Sequence, residues 1–425
     1  MANNFRTIPR SSDGNQFQKM EEEQKTTWIQ KIFRNRQLMG LGDPLIFIMS
    51  LLLLIFSAMM VFSATIYEDP MGFMLKQVGS MIVGMVVVAM IRLVPLDWFL
   101  SIRLMNVVLV VVLILIGLTA VLGQEAGGAT SWLALSGVNF QPSELFKLVV
   151  VLVIARIIAQ FSRTYLIKLE TSPIWRYYFP IACMLLSLLL IVLQPDFGGA
   201  MIIIGTTVAM LMVFWFAPIN NLKLIGLGLI VYVLAIFLTN YFSDFLVNSN
   251  YHAFERFGSF VNPFNYAQST GYQIINSYLA FSRGGLWGVG LGQGQIKANL
   301  PAAHTDFILA VVAEEFGLLG VVVVVGLLLA LIFHLLRTAA TMNIRFHRIC
   351  LTGFAILLLL QMFVNVGGLS GLIPLTGVTL PFISYGGSSM IINLMMIGIV
   401  QKLIAEEKQM RMNARLMKTD RGGLR

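Results

Sequence analysis

The sequence predicts an all-α integral membrane protein with ten transmembrane helices, both termini cytoplasmic, and a large extracytoplasmic loop between the seventh and eighth helices. Three observations predict it. Of 425 residues, 57% are hydrophobic and only 12% charged, about half the charged share of an ordinary soluble domain. Apolar windows recur at 45–64, 78–94, 104–122, 143–160, 179–194, 199–216, 222–240, 307–333, 349–367 and 387–404. Each is close to the ~20 residues a helix needs to cross a ~30 Å core, the fifth needing an extension into its flanks. With the N-terminus inside, 24 of the 29 Lys and Arg residues fall in inner segments, as the positive-inside rule requires.

Only Lys76, Lys147, Arg256, Arg283 and Lys297 lie outside or near the outer ends of spans, while the twenty acids divide evenly. That asymmetry accounts for the +9 charge as attraction of inner loops to anionic lipid. It argues against nucleic acid as a partner. Cys183 and Cys350 both fall in apolar spans, so neither a disulfide framework nor a C-x-x-C site is expected.

In chain order, residues 1–43 read as a mixed-charge cytoplasmic tail, too hydrophilic for a cleaved signal peptide. Its segment 28-WIQKIFRNRQLMG-40 suits a short basic helix on the membrane surface. Residues 44–404 form the ten-span domain, and 405–425 a basic cytoplasmic tail. The outer loops 123–144, 194–199, 241–306 and 370–389 are rich in Gly, Pro and polar residues, and loops this long usually have a function. The loop 241–306 carries Trp287 and several Tyr and Phe. It is too apolar for a linker and is expected to fold partly into helices along the outer interface. No internal repeat is evident.

The outer segments also carry the candidate chemistry. In 301-PAAHTDFILAVVAEEFG-317, Asp306 stands at the loop–helix boundary, with Glu314 and Glu315 about two turns inside. If Asp306 opens the helix, Glu314 lies on nearly the same face roughly 12 Å deeper. An acid within a spanning helix costs about 2.5–3.5 kcal/mol and usually faces a cavity. The alternative is that Thr305 or Asp306 caps the helix and the glutamates pair internally. His304, beside Asp306, forms no zinc motif but could orient the acid or a substrate.

In 141-QPSELFK-147, Pro142 suits a first helical position and Glu144 can reach back to free backbone donors. Lys147 shares its face at i,i+3, near a helix N-terminus that disfavours a cation. The pair either neutralises itself or leaves Lys147 to hold an anionic headgroup. Asp196 in 194-QPDFGG-199 reads as a helix-end turn. In 381-PFISYGGSS-389, Tyr385 and Ser388 could contact a polar ligand. The run 284-GGLWGVGLGQGQ-295 lacks the strand context of a dinucleotide site; it reads as loop chemistry, or as backbone that a bulky headgroup could approach closely.

Together, 141-QPSELFK-147, 194-QPDFGG-199, 301-PAAHTDFILAVVAEEFG-317 and 374-PLTGVTLPFISYGGSS-389 resemble the signatures of the SEDS family (shape, elongation, division and sporulation). The similarity covers residues 45–404. It implies a peptidoglycan glycosyltransferase of the bacterial cytoplasmic membrane that polymerises lipid II. Implied partners are a class B penicillin-binding protein that cross-links the strands, and other divisome or elongasome membrane proteins. By the resemblance, Asp306 is the residue essential for polymerisation, and Trp132, Gln141, Glu144 and Lys147 are further important positions. Ser131 and Ala302 depart from residues common in relatives, where a base and an acid respectively are frequent. The wording of 366–387 leans toward the division branch.

The implied reaction needs a base for the acceptor's 4-hydroxyl and a cation for the departing diphosphate. Asp306 fits the first role. Lys147 fits the second, with Arg283 or a divalent cation (Mg or Mn) held by acids. A lipid II flippase is the competing reading, and a scaffold for the cross-linking enzyme a third.

Overall fold

The computed structural model describes residues 42–95, 101–126, 129–135, 138–160, 175–242, 258, 260, 262–268 and 271–422. The surface helix expected at 28–40 lies outside them. Helices are α1 Pro44–Ala64, α2 Pro70–Leu93, α3 Ile102–Leu122, α4 Pro142–Gln160, α5 Trp175–Leu193 and α6 Phe197–Phe214. They continue with α7 Pro218–Tyr241, α8 Tyr272–Gly284, α9 Ile308–Ala340, α10 Arg345–Leu369 and α11 Gly387–Gly422. Eight are long and apolar enough to cross a membrane. Two more are nearly so. α4 carries Glu144, Lys147 and Arg156, and α5 is 19 residues long with Arg176 in its first turn and Pro180 inside it.

Helix starts follow from local chemistry. Asp43 and Asp69 each precede a proline at the first helical position, and their carboxylates accept N–H groups of Leu45 and Gly72. Capping acid plus proline satisfies or removes the donors that a helix N-terminus leaves open. In α2 this start lies eight residues before the apolar window, so the helix is longer than hydropathy suggested.

α10 and α11 form the buried centre, and α2 packs along α11. Gly84 and Gly398 allow that approach: a Cβ on Gly84 would come within 2.5 Å of Leu394, and one on Gly398 within 3.1 Å of Val88. By contrast α7 buries no residue and touches the loop after α10 where Tyr232 donates to the Leu372 carbonyl. Exposed apolar side chains such as Ile55, Val121, Leu229 and Phe333 cover the outside of the bundle, as a lipid-facing surface requires.

Three features depart from the sequence reading. Within 123–144 the chain forms a small antiparallel sheet, β1 Gln124–Ala126, β2 Ala129–Leu135 and β3 Val138–Phe140, in the order β1-β2-β3. The stretch 405–422 is no separate tail; it continues α11, and Ala405, Glu406 and Glu407 are buried. Finally, α9 is interrupted at Gly317, with φ 65° and ψ −165°. Residues 318–340 alone span roughly 34 Å at 1.5 Å per residue, enough to cross a bilayer core. Residues 308–315 are buried throughout, whereas Leu318, Leu319, Val322 and Val323 are exposed.

The glycine run 284–295 docks into this break. Leu318 N–H donates to Gly285 O and Leu319 N–H to Leu286 O, while Val289 and Gly290 N–H donate to the carbonyls of Glu314 and Glu315. Gly288 sits at φ 80°, and a Cβ there would lie 2.1 Å from Glu315 O. Only glycine permits this approach.

Candidate functional site

Four helix N-termini converge on one cavity of about 370 Å³. Its wall takes Gln141, Glu144 and Lys147 from the start of α4, Asp196–Gly199 from the start of α6, and Thr305 and Asp306 from the turn before α9. Tyr385, Gly386 and Ser389 come from the start of α11, Trp132 from β2, and Gln273 from α8. The loop 375–379 closes one side. Each N-terminus presents the positive end of a helix dipole, which offsets part of the negative charge of the three carboxylates on the wall.

Asp196 organises one side. Its Oδ1 accepts Gly199 N–H at 2.9 Å, and its Oδ2 accepts Ser143 Oγ at 2.8 Å and Gln141 Nε2 at 3.2 Å. It therefore caps α6 and ties it to α4. Gly198 brings α6 against the 374–379 loop, since a Cβ there would lie 2.6 Å from Thr376 O. Next to this, Lys147 Nζ is 2.7 Å from Glu144 Oε1, and both are buried. Glu144 holds the ammonium at a helix start that would otherwise repel it. Among the described residues Glu144 is the ammonium's one hydrogen-bond partner, which leaves two of its three donors for a ligand.

Asp306 is placed by its backbone. Neither Thr305 nor Asp306 caps α9, which has no side-chain cap and begins after Phe307. Instead Asn365 of α10 donates to both Asp306 O and Val378 O at 2.8 Å, and Thr305 Oγ1 donates to Asp306 Oδ1 at 2.9 Å. Ala302 in the same turn adopts φ 58°. A non-glycine residue in that region stores about 1–3 kcal/mol of strain.

Tyr385 is held through the turn 383–386. Ser57 Oγ donates to Ile383 O, and Gln77 links Ser57 Oγ, Ser384 O and Gly386 N–H. Tyr385 N–H donates to His304 O at 2.8 Å, and the rings of His304, Phe73 and Tyr385 pack against one another in a three-ring cluster. Burial pushes the His304 imidazole below its usual pKa, against the opposing pull of Glu68 and Asp306. Burial likewise raises the Tyr385 phenol. Both groups are therefore neutral near pH 7.

Of the residues singled out in the sequence, Asp306, Glu144, Lys147, Gln141, Trp132 and Tyr385 line the cavity. Ser388 sits behind the wall, its Oγ accepting Gln141 N–H at 3.3 Å. His304 supports Tyr385 without lining the cavity. Arg283 is not brought there; its Nη1 lies 3.5 Å from Glu314. Glu314 does not share the face of Asp306 toward the cavity, because it points at the 283–296 loop. Sequence reasoning missed Ser143, Gln77 and Asn365. An Asn or Gln within an apolar span is itself a signal, since its amide needs partners there.

Among the described residues no group of three or more His, Cys, Asp or Glu is placed to hold a metal ion. Glu144 and Asp196 are already engaged by protein donors.

The sequence pattern of the family described as "Cell cycle protein" (FtsW/RodA/SpoVE) matches residues 40–409. The chain belongs to this family. It is 37% identical over 357 residues to the probable peptidoglycan glycosyltransferase FtsW of Bacillus subtilis, covering 83% of this chain and 86% of that protein. The same-named protein of Legionella pneumophila is 32% identical over 364 residues, covering 84% and 88%. Among solved structures, the rod-shape-determining protein RodA of Thermus thermophilus superposes with a TM-score of 0.61 at 25% identity, over 86% of this chain and 98% of that one. A chain from a structure titled for the coordination of polymerization and crosslinking by a peptidoglycan synthase complex gives 0.67 at 26%, over 87% and 99%. The family's fold accounts for the multi-pass membrane architecture.

Proposed function

We propose that this protein is a peptidoglycan glycosyltransferase of the bacterial cytoplasmic membrane, that it polymerises lipid II for cell division, and that Asp306 is its general base. The observation that carries the reading is the cavity itself. It brings a carboxylate and a paired ammonium from motifs about 160 residues apart to a place where four helix dipoles favour a diphosphate. FtsW is the name carried by the relatives reported above, which favours the division branch.

The ten long helices are read as ten spans, with both termini inside and the α7–α9 segment outside. The cavity then opens at the outer leaflet, where both substrates are tethered by their lipids. Asp306 takes the proton from the acceptor's 4-hydroxyl as its oxygen bonds to the donor's anomeric carbon. The bond from that carbon to the diphosphate oxygen breaks, and undecaprenyl diphosphate leaves with the electron pair. Lys147 and the N-termini of α4 and α6 stabilise the developing charge. A divalent cation, Mg or Mn, would arrive on the diphosphate rather than reside in the protein. A class B transpeptidase is the partner, in line with the crosslinking complex to which the fold is similar.

Asp306→Asn, purified with its transpeptidase, should fold normally and lose about 10²–10⁴-fold in lipid II polymerisation. Near-wild-type turnover would refute the base assignment. Labelled lipid II supplied only outside sealed vesicles should be polymerised, an outcome a flippase would not give.

A further inference from the structure

A second charged cluster lies near the cavity without bordering it. Lys297 Nζ is 2.5 Å from Glu315 Oε1, and both side chains are fully shielded from solvent. Ser63, at the outer end of α1, places its Oγ 2.6 and 2.7 Å from the two Glu315 oxygens and 2.9 Å from Lys297 Nζ. The Tyr67 ring lies beside the ammonium. One residue away, Glu314 accepts the N–H groups of Gln295 and Ile296 at 2.7 and 3.0 Å. The cluster thus pins residues 295–297, all within the 3-10 turn Ile296–Asn299 or next to it.

Asp306 follows nine residues later. Leu300 and Ala303 are buried in between, and Asn365 holds the Asp306 carbonyl at the far end. The segment that carries Asp306 is therefore fixed at both ends: by α1 and α9 at one, by α10 at the other. A buried ion pair adds little stability over an apolar pair of similar size. What it adds is direction, because three polar contacts admit one loop register while apolar contacts tolerate sliding.

We propose that Lys297, Glu315 and Ser63 form a positioning latch that sets where the Asp306 carboxylate sits, and thereby sets kcat for glycosyl transfer. The latch rests on Asp306 acting as the base.

The test uses the full-length protein with its transpeptidase and lipid II. Lys297→Met and Glu315→Gln, each leaving a buried charge without its counter-charge, should lower both Tm and kcat. In Lys297→Met/Glu315→Leu, which leaves only the Ser63 hydroxyl without its partners, Tm should recover most of the loss while kcat stays down about 10²-fold with KM unchanged. Amide exchange over 298–307 should quicken, and that of α10 should not. Recovery of kcat together with Tm would overturn the latch, leaving the pair a filler of space. If the double variant does not fold, Ser63→Ala removes one contact without stranding a charge. Wild-type kcat and unchanged exchange over 298–307 in Ser63→Ala would equally overturn it. Failure of the base assignment shows separately, as turnover by Asp306→Asn in a protein whose 298–307 exchange still depends on the latch.

Discussion

Two lysine–glutamate pairs in the bundle have nearly the same separation. Lys147–Glu144 and Lys297–Glu315 are separated by 2.7 and 2.5 Å, and all four residues are buried. The first pair borders the cavity and sits at a helix N-terminus; the second does not line that cavity and ties a loop to two helices. Residue type and pairing therefore do not distinguish a ligand-binding ammonium from a structural one. A neighbouring void that admits a ligand does, together with donors left over after the protein's own contacts are made.

That comparison can be broken or sharpened by substitution. Glu144→Leu has the largest expected effect: it strands Lys147 at a buried helix start and should cost about 3–5 kcal/mol of stability, read as a fall in Tm. If Tm is unchanged, the first pair is more open to water than its burial indicates. Lys147→Met should fold, because Glu144 stands in the first turn of α4, where backbone N–H donors are open to its carboxylate. It should lose about 10²–10³-fold in lipid II turnover, and full activity would place the two pairs in one structural class.

The smallest effect concerns His304, which supports the cavity from behind. Its folded pKa is lowered by burial, whereas unfolded it protonates near pH 6.5. Below that value the unfolded chain binds more protons, so stability should fall as pH drops from about 6.5 toward the folded pKa. His304→Gln should flatten this part of the Tm–pH profile. An unaltered slope would mean that the imidazole exchanges its proton freely.

Much of the site was legible because its residues cluster in short motifs. Asp306, Glu144, Lys147, Gln141, Trp132 and Tyr385 were chosen from sequence, and all six line the cavity. Asp196 was read as a turn residue; it is a cap and also a tie between α4 and α6. Arg283 was expected near the diphosphate because it is one of few outer cations, but charge counting cannot see that Glu314 engages it. The glycine run was ambiguous for a similar reason. Its partner, the break at Gly317, is 22 or more residues away along the chain, and hydropathy treats α9 as one uniform helix.

Sequence alone determined the membrane class, the approximate helices and the family, because hydrophobic length, capping residues and motif order are local properties of the chain. Only the tertiary structure decided which buried acids face a cavity and which are sealed. Glu144 and Glu315 carry the same side chain, and each pairs with a lysine. What separates them is the packing of distant helices, which leaves space beside one and fills it around the other.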